Sequence, residues 1–499
     1  MVQVQEGELN FEIDRIFYYV VYFVLRLINL YVKSKFLICM FVKEYLPFYS
    51  RNLKIAIPII MSSMGTTFVQ IIDTLMVGRL GTIELAAVAF STSIFLLGSL
   101  FVSGLMMGGT PIIGQLFSRG DNIQISRFFA NMMYMAIYVS VVVGLILYVV
   151  RIFMPYMGQD PQVVVFAKQY FLILILSLLP NSIFFVFKQW LEGLGNTAVA
   201  MAITLASNVI NIVFNYLLIY GKFGFPELGV VGAGIATLIS RIMLVVLFVI
   251  YLCFVKRWRI YHQKCFSNLF NLKEQKELYR VGIPIAVHTL LEVSAFSLSG
   301  IMMGWISATA MASHQICSNI SMVSFTILLG IANATTIRVS HQYGARDFKS
   351  MKMAANASVH LCLLVTIVMG LLFVLLRYPV MSLFTEDTEV IKIGAQILIA
   401  VGIYQIFDGM QVVGAGILRG IKDVTITMYA AFISYVVINL PLGYFLAFIC
   451  NWGPIGIWAG FIGGLSTAAL LFRIRYVKDF KKIDSGSYVD NNFRNSSES

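Results

Sequence analysis

The sequence predicts an all-α membrane protein of about twelve transmembrane helices in two six-helix lobes. Three observations carry that reading: a lipid-soluble composition, a regular succession of apolar runs, and a repeat that divides the chain in two. Of 499 residues, 59% are hydrophobic and 12% charged, against roughly 25% charged in soluble domains. The mean hydropathy is +0.84. Bilayer hydrocarbon is the natural solvent for such a chain, and no stretch remains for a large soluble catalytic domain.

Spans long enough to cross about 30 Å of hydrocarbon succeed one another, with charges gathered between them. The first two, 52–76 and 87–109, are joined across Arg79. The third, 128–150, comes after Arg119 and Arg127, and the fourth, 163–190, after Arg151. The fifth, 198–220, and sixth, 230–255, flank Lys222. After a basic stretch come 281–303 and 310–336, then 354–376 beyond Arg346, Lys349 and Lys352, and 390–418 beyond Arg377. The last two, 425–448 and 456–475, come after Arg419 and Lys422. Pro58, Pro180 and Pro284 fall inside helical runs and are candidate bends.

Lys and Arg set the orientation. The connection after the sixth helix holds Lys256, Arg257, Arg259, Lys264, Lys273, Lys276 and Arg280, and the other even-numbered connections are also basic, Arg338 included. The odd-numbered ones hold little beyond Arg79, Arg151, Lys222 and Arg377. The positive-inside rule then places both ends of the twelve-helix core in the cytoplasm. The net charge of +12 is therefore read as facing anionic membrane lipid, with no nucleic-acid partner.

The two halves look like copies. Pro58 matches Pro284, Thr110 matches Thr336 and Asp121 matches Asp347, all at an offset of 226; Gly193 pairs with Gly420 at 227, and Asn215, Gly229 and Gly232 pair with Asn439, Gly453 and Gly456 at 224. An even number of helices per copy makes them parallel repeats about an axis along the membrane normal. The resulting domain plan is an N-terminal extension at 1–47, read first as an interfacial helix, second as an extra span and third as an over-extended start of the reading frame; a first lobe at 48–255; a basic cytoplasmic linker at 256–280; a second lobe at 281–478; and a disordered polar tail at 479–499.

Cys39, Cys253, Cys265, Cys317, Cys362 and Cys450 show no ligand spacing, and the five histidines, His288 and His314 among them, form no paired-ligand pattern. The chemistry-bearing residues are carboxylates where charge is expensive. An ionised group at the bilayer centre costs at least about 2.5 kcal/mol and marks a pathway. Asp73, Glu292 and Asp408 meet that test in the first, seventh and tenth helices. An anion in hydrocarbon needs a compensating cation or donors, so each is a candidate exchange site for a proton, a sodium ion or a cationic substrate, the alternative being a carboxyl hydrogen-bonded to a neighbouring helix for packing.

Tyr404 and Gln405 stand one turn before Asp408, and Gln411 just after it. Gln315 and Asn319 share one face of the eighth helix. Asn208, Asn211 and Asn215 share one of the fifth, lining a cavity with Asp73 or packing between helices. A sodium ion, a hard cation that favours oxygen ligands, is the metal these residues suit, at Glu292 and Asp408. Arg241, in the sixth helix, either pairs with a carboxylate or snorkels, and Glu192 is read as a solvated helix end.

The chain resembles the multidrug and toxin extrusion (MATE) transporters, in their bacterial NorM-like branch. The likeness covers about 50–478 and rests on "DTLMVGRLGTIELAAVAF", "YGKFGFPELGVVGAGIAT", "LLEV", "ASHQICSN" and "YQIFDGMQVVGAGILRGIKD" in order. It implies a pseudo-symmetric, V-shaped pair of lobes in the cell (inner) membrane, acting as a monomer. The implied activity is export of small cationic amphipathic compounds in exchange for sodium ions or protons, with no cofactor. Asp73, Glu292 and Asp408 fall on that branch's acidic positions, Tyr404 beside its cation site, and Asn211 and Asn215 on polar positions of its first lobe. The extension before residue 48 and Arg241 depart from the pattern. Two alternatives stand beside it. A lipid-linked oligosaccharide flippase of the same superfamily predicts a strongly basic cavity, whereas the charge here is mainly acidic. A membrane-embedded enzyme needs a catalytic constellation, and the spans offer none.

Overall fold

Twelve helices long and apolar enough to cross a membrane make up the computed structural model, which describes residues 43–255 and 270–485. The basic residues at 256–269, most of the N-terminal extension and the end of the tail lie outside the described residues. The chain separates into residues 1–50 and 51–499. Of the first unit, the described part is the turn Lys43–Tyr45 and the opening of the first helix. The second unit holds the rest of the bundle.

The helices are α1 (Leu46–Gly78), α2 (Thr82–Arg119), α3 (Asn122–Tyr156), α4 (Pro161–Gly193), α5 (Thr197–Tyr220), α6 (Gly229–Phe254), α7 (Leu272–Ile306), α8 (Ala308–Gly344), α9 (Phe348–Leu375), α10 (Thr388–Gly420), α11 (Thr425–Ile449) and α12 (Pro454–Ile483). Most outrun the spans expected from hydropathy because polar turns extend them past the apolar run. α7 begins at Leu272 rather than near 281: the Asn271 side chain accepts from the Lys273 amide, and Glu274 sits in the first turn, both favourable at a helix N-terminus. At 35 residues and 1.5 Å per residue, α7 is about 52 Å long and overruns the hydrocarbon. Likewise α12 runs to Ile483, into the stretch expected as a tail. Pro58, Pro180 and Pro284 all lie inside continuous helices.

The repeat is visible in packing as well as in sequence. In the first lobe α4 packs against α2, α3 and α6; in the second its counterpart α10 packs against α8, α9 and α12. Hydrogen bonds recur at equivalent places. The Thr110 hydroxyl donates to Gln189 Oε1 at 2.5 Å, and that of Thr336 to the Gly416 carbonyl at 3.0 Å. Ser91 Oγ donates to the Ala167 carbonyl, and Cys317 Sγ to the Gly394 carbonyl.

Contacts between lobes gather from mid-bundle towards the end that carries the connections after α2, α4, α8 and α10, here the even-loop end. Cβ atoms have no room there. One added to Gly104 would stand 2.6 Å from Ala286 Cα, and one on Gly282 2.6 Å from the Leu105 carbonyl oxygen. Small residues four apart on each helix allow this close crossing of α2 and α7. The equivalent crossing brings Gly330 of α8 against Ile60 of α1, and Gly114 meets Ser340, its own repeat partner, at the pseudo-axis. Gln115 Nε2 donates to the Gly420 carbonyl at 3.0 Å; its counterpart, His341 Nε2, lies 2.7 Å from the Gly193 carbonyl oxygen. Among the described residues no cross-lobe hydrogen bond joins the opposite, odd-loop halves.

Candidate functional site: a carboxylate pocket in each lobe

In the second lobe, α7, α10 and α11 bring Glu292, Asp408, Tyr404 and Tyr435 together. Tyr435 Oη donates to Glu292 Oε1 at 3.0 Å. It does so from a π-helical stretch, Phe432–Asn439, whose widened turns re-aim side chains and recur at functional positions. Asp408 is 1% exposed. Its carboxylate interacts with Glu292 and with the Tyr404 hydroxyl, yet neither oxygen meets a donor in hydrogen-bond geometry. Two carboxylates facing one pocket with so few donors are a costly arrangement inside a helical bundle.

Aromatic walls hold the pocket's shape. Tyr404 meets Phe296, Trp458 and Phe461 edge-on, with ring centroids 5.6 to 6.3 Å apart. Polar neighbours fasten the helices around it: Gln405 Nε2 donates to Ser321 Oγ at 3.2 Å, and Gln411 Nε2 lies 3.0 Å from His288 Nε2. Arg419, buried near the even-loop end of α10, adds a favourable field at Glu292. Replacing Tyr435 by Phe removes one of the few donors to the acid pair. Such a bond is worth about 1 kcal/mol, so Tyr435→Phe is expected to change the half-saturating concentration of the coupling ion roughly fivefold. An unchanged ion dependence would separate Tyr435 from ion binding.

The first lobe holds a different constellation. Asn215 Nδ2 donates to Asp73 Oδ1 at 2.5 Å and to Asn211 Oδ1 at 3.1 Å, and Asn211 Nδ2 reaches Ser240 Oγ at 3.4 Å. Beside Ser240 on α6, Arg241 chooses between the two readings the sequence left open. Its Nη1 donates to Ser177 Oγ at 2.5 Å, its guanidinium lies 5.0 Å from the Phe95 ring centre, and it stands in the field of Asp73 and Tyr170. Arg241 is therefore held inside the lobe by Ser177 and Phe95, where its charge acts favourably on Asp73.

The remaining candidates distribute unevenly. Gln315 and Asn319 hydrogen-bond each other at 3.5 Å on an exposed face of α8 and make no hydrogen bond to the acid pair. Asn208 has a buried, unpaired Nδ2 and does not join the Asn211–Asn215 chain. Glu192, expected to be solvated, is 2% exposed and pairs with Lys188 at 3.9 Å, because α4 is the buried hub of its lobe. Residue spacing did not single out Tyr435, Ser321 or Arg419 as site residues. The signal for Tyr435 was its place in the α11 run, four residues before Asn439 of the repeat.

A duplicated twelve-helix bundle that spends its costly intramembrane charge in one pocket per lobe has the architecture of a membrane transporter. The chain belongs to the MatE family, whose pattern matches residues 58–217 and 284–445. It is 34% identical over 431 residues to the multidrug resistance protein NorM of Vibrio cholerae, covering 85% of this chain and 93% of that one. To the multidrug resistance protein MdtK of Pectobacterium atrosepticum it is 33% identical over 447 residues, covering 87% and 97%. Its fold matches, at a TM-score of 0.81 and 20% identity, a solved structure described as the outward-facing conformation of a multidrug resistance MATE family transporter of the MOP superfamily, covering 88% of this chain and 97% of that one. The relatives carry the names of transporters and not of enzymes, and the NorM-like resemblance read from the sequence motifs holds.

Proposed function

We propose that this integral membrane protein exports small cationic amphipathic compounds by antiport, using the inward movement of a sodium ion or proton at Glu292 and Asp408. The observation that carries the reading is the Asp408 carboxylate, buried with neither oxygen satisfied and Glu292 beside it. Its relatives are named as multidrug resistance proteins, and the negative charge of the acid pair favours cations among drug-like compounds. An incoming cation satisfies the pair and competes with a cationic substrate for the same negative charge, which is what exchange requires. Gln315 and Asn319, on the exposed face of α8, then belong to the substrate path rather than to the ion site.

With the even-loop end cytoplasmic, as the Lys and Arg distribution indicates, the cross-lobe contacts close the cytoplasmic side, and the described state is the outward-facing one. One charge moving through 100 mV yields about 2.3 kcal/mol, but exchange for one monovalent cationic substrate moves no net charge, so the ion's own concentration gradient drives a one-for-one exchange. The test is reconstitution into vesicles with a sodium gradient and a pH gradient imposed separately, following a fluorescent cation. Accumulation driven by one of them is expected; if neither moves the cation, antiport is wrong.

A further inference from the structure

Transport through the carboxylate pockets makes no use of Arg338, which is 9% exposed with neither Nε nor Nη2 hydrogen-bonded. Its neighbour is Arg51, another cation. The helix geometry explains why they meet. Antiparallel α1 and α8 touch at Ile60 and Gly330, and about 12 to 14 Å further towards the even-loop end each helix reaches an arginine at the same level. Asn52 ties α1 down beside them, its Nδ2 donating to the Ala354 carbonyl at 3.0 Å and to Ser358 Oγ at 2.9 Å.

Among the described residues from Arg51 onward, the acids of this end are engaged elsewhere. Glu274 holds Asn131, Glu277 holds Lys422, Glu192 holds Lys188, and Asp423 and Asp479 share Arg475; Asp121 and Asp347 cap α3 and α9. Nor does packing require two cations. At the repeat-equivalent seam between α7 and α2, Glu277 and Ile112 occupy the matching positions, and that seam closes without them meeting as charges. A buried guanidinium with unused donors beside a second guanidinium is the arrangement that recognises phosphate, by forked hydrogen bonds and doubled charge.

We propose that Arg338 and Arg51 hold the phosphate of an anionic phospholipid in the seam between α1 and α8, and that the bound headgroup stabilises the conformer in which the even-loop ends of the lobes are shut. Lipid is favoured over free phosphate by two features. The arginines lie near the even-loop ends of their helices, at headgroup depth, and α1 carries an exposed apolar stripe, Ile57, Met61, Met64 and Phe68, leading from that level into the bilayer for an acyl chain. The lipid source rests on the membrane orientation proposed above; the phosphate site does not.

The test is thermal unfolding of the detergent-purified full chain, titrated at constant ionic strength with dioctanoyl phosphatidylglycerol, dioctanoyl phosphatidylcholine or inorganic phosphate. A saturable rise in Tm is expected with phosphatidylglycerol alone, with the half-saturating concentration raised at least about tenfold in Arg338→Gln and in Arg51→Gln. Arg51 is exposed, so its variant gives the answer even where Arg338→Gln folds poorly. An equal response in wild type and both variants, or none in wild type, overturns the site. An equal rise with inorganic phosphate overturns the lipid source. Because no ion gradient is involved, a failure of antiport leaves this result standing, and the reverse.

Discussion

Asp408→Asn is expected to abolish ion-driven export while leaving the protein folded and in the membrane. Asparagine keeps the shape of the side chain and removes the charge. The residue is 1% exposed, and the Tyr404 hydroxyl stands near its carboxylate without reaching hydrogen-bond geometry, so the anion has little support that the amide would lose; a buried charge with so few donors is itself costly. Thermal stability should be equal or higher. Gradient-driven accumulation should fall to the level seen without a gradient, because entry of the ion can no longer be coupled to movement of the substrate. Facilitated, downhill movement of the fluorescent cation should survive. The decisive readout is uptake into vesicles with and without an imposed gradient. Gradient-dependent uptake by Asp408→Asn at the wild-type rate would remove Asp408 from the coupling site.

Asp73 differs in company, and a parallel outcome is not expected of it. Arg241 lends it a favourable field from within the lobe, and Asn215 donates to its carboxylate. In the second lobe Arg419 lends a comparable favourable field to Glu292, but Asp408 faces the like charge of Glu292. The repeat thus built two lobes of one plan with different acid counts, one carboxylate in the field of an arginine in the first and two carboxylates facing each other in the second.

Much of this was legible in the sequence because a bilayer imposes long-range order on composition. Twelve apolar runs had to be helices, and the 226-residue offset that aligned Thr110 with Thr336 reappears as matched hydrogen bonds. Asp73, Glu292 and Asp408 stood out because a charge inside an apolar run is expensive wherever the run folds. Tyr435 did not, since a tyrosine in such a run has no cost to advertise; its role comes from the π-helical turns of α11 and from a partner 143 residues away. The destination of Arg241 and the burial of Glu192 were equally hidden. Both depend on which helix becomes a lobe's hub, a tertiary fact with no local signature. Helix faces were less legible than individual residues: Gln315 and Asn319 do share one side of α8, as their spacing required, but that side looks away from the acid pair's hydrogen bonds.

Gly282→Val is expected to open the even-loop end, and it tests whether the lobes move as bodies. A Cβ there would lie 2.6 Å from the Leu105 carbonyl oxygen, and the opposing Gly108 would carry its own Cβ 2.8 Å from Gly282 Cα. Backbone on both sides leaves no flexible side chain to give way. Within one lobe such overpacking would cost about 1 to 3 kcal/mol of stability, but across a separable interface the same energy is relieved by parting the lobes. Population should therefore shift by roughly 5- to 150-fold towards the state closed at the other end. The measurement is alkylation of single cysteines placed at the seam, for example Ser340→Cys beside Gly114, in a background in which the six native cysteines are replaced. Faster labelling in Gly282→Val with an unchanged melting temperature supports rigid lobes exchanging contacts. A lowered melting temperature with unchanged labelling would mean instead that α2 and α7 belong to one inseparable core.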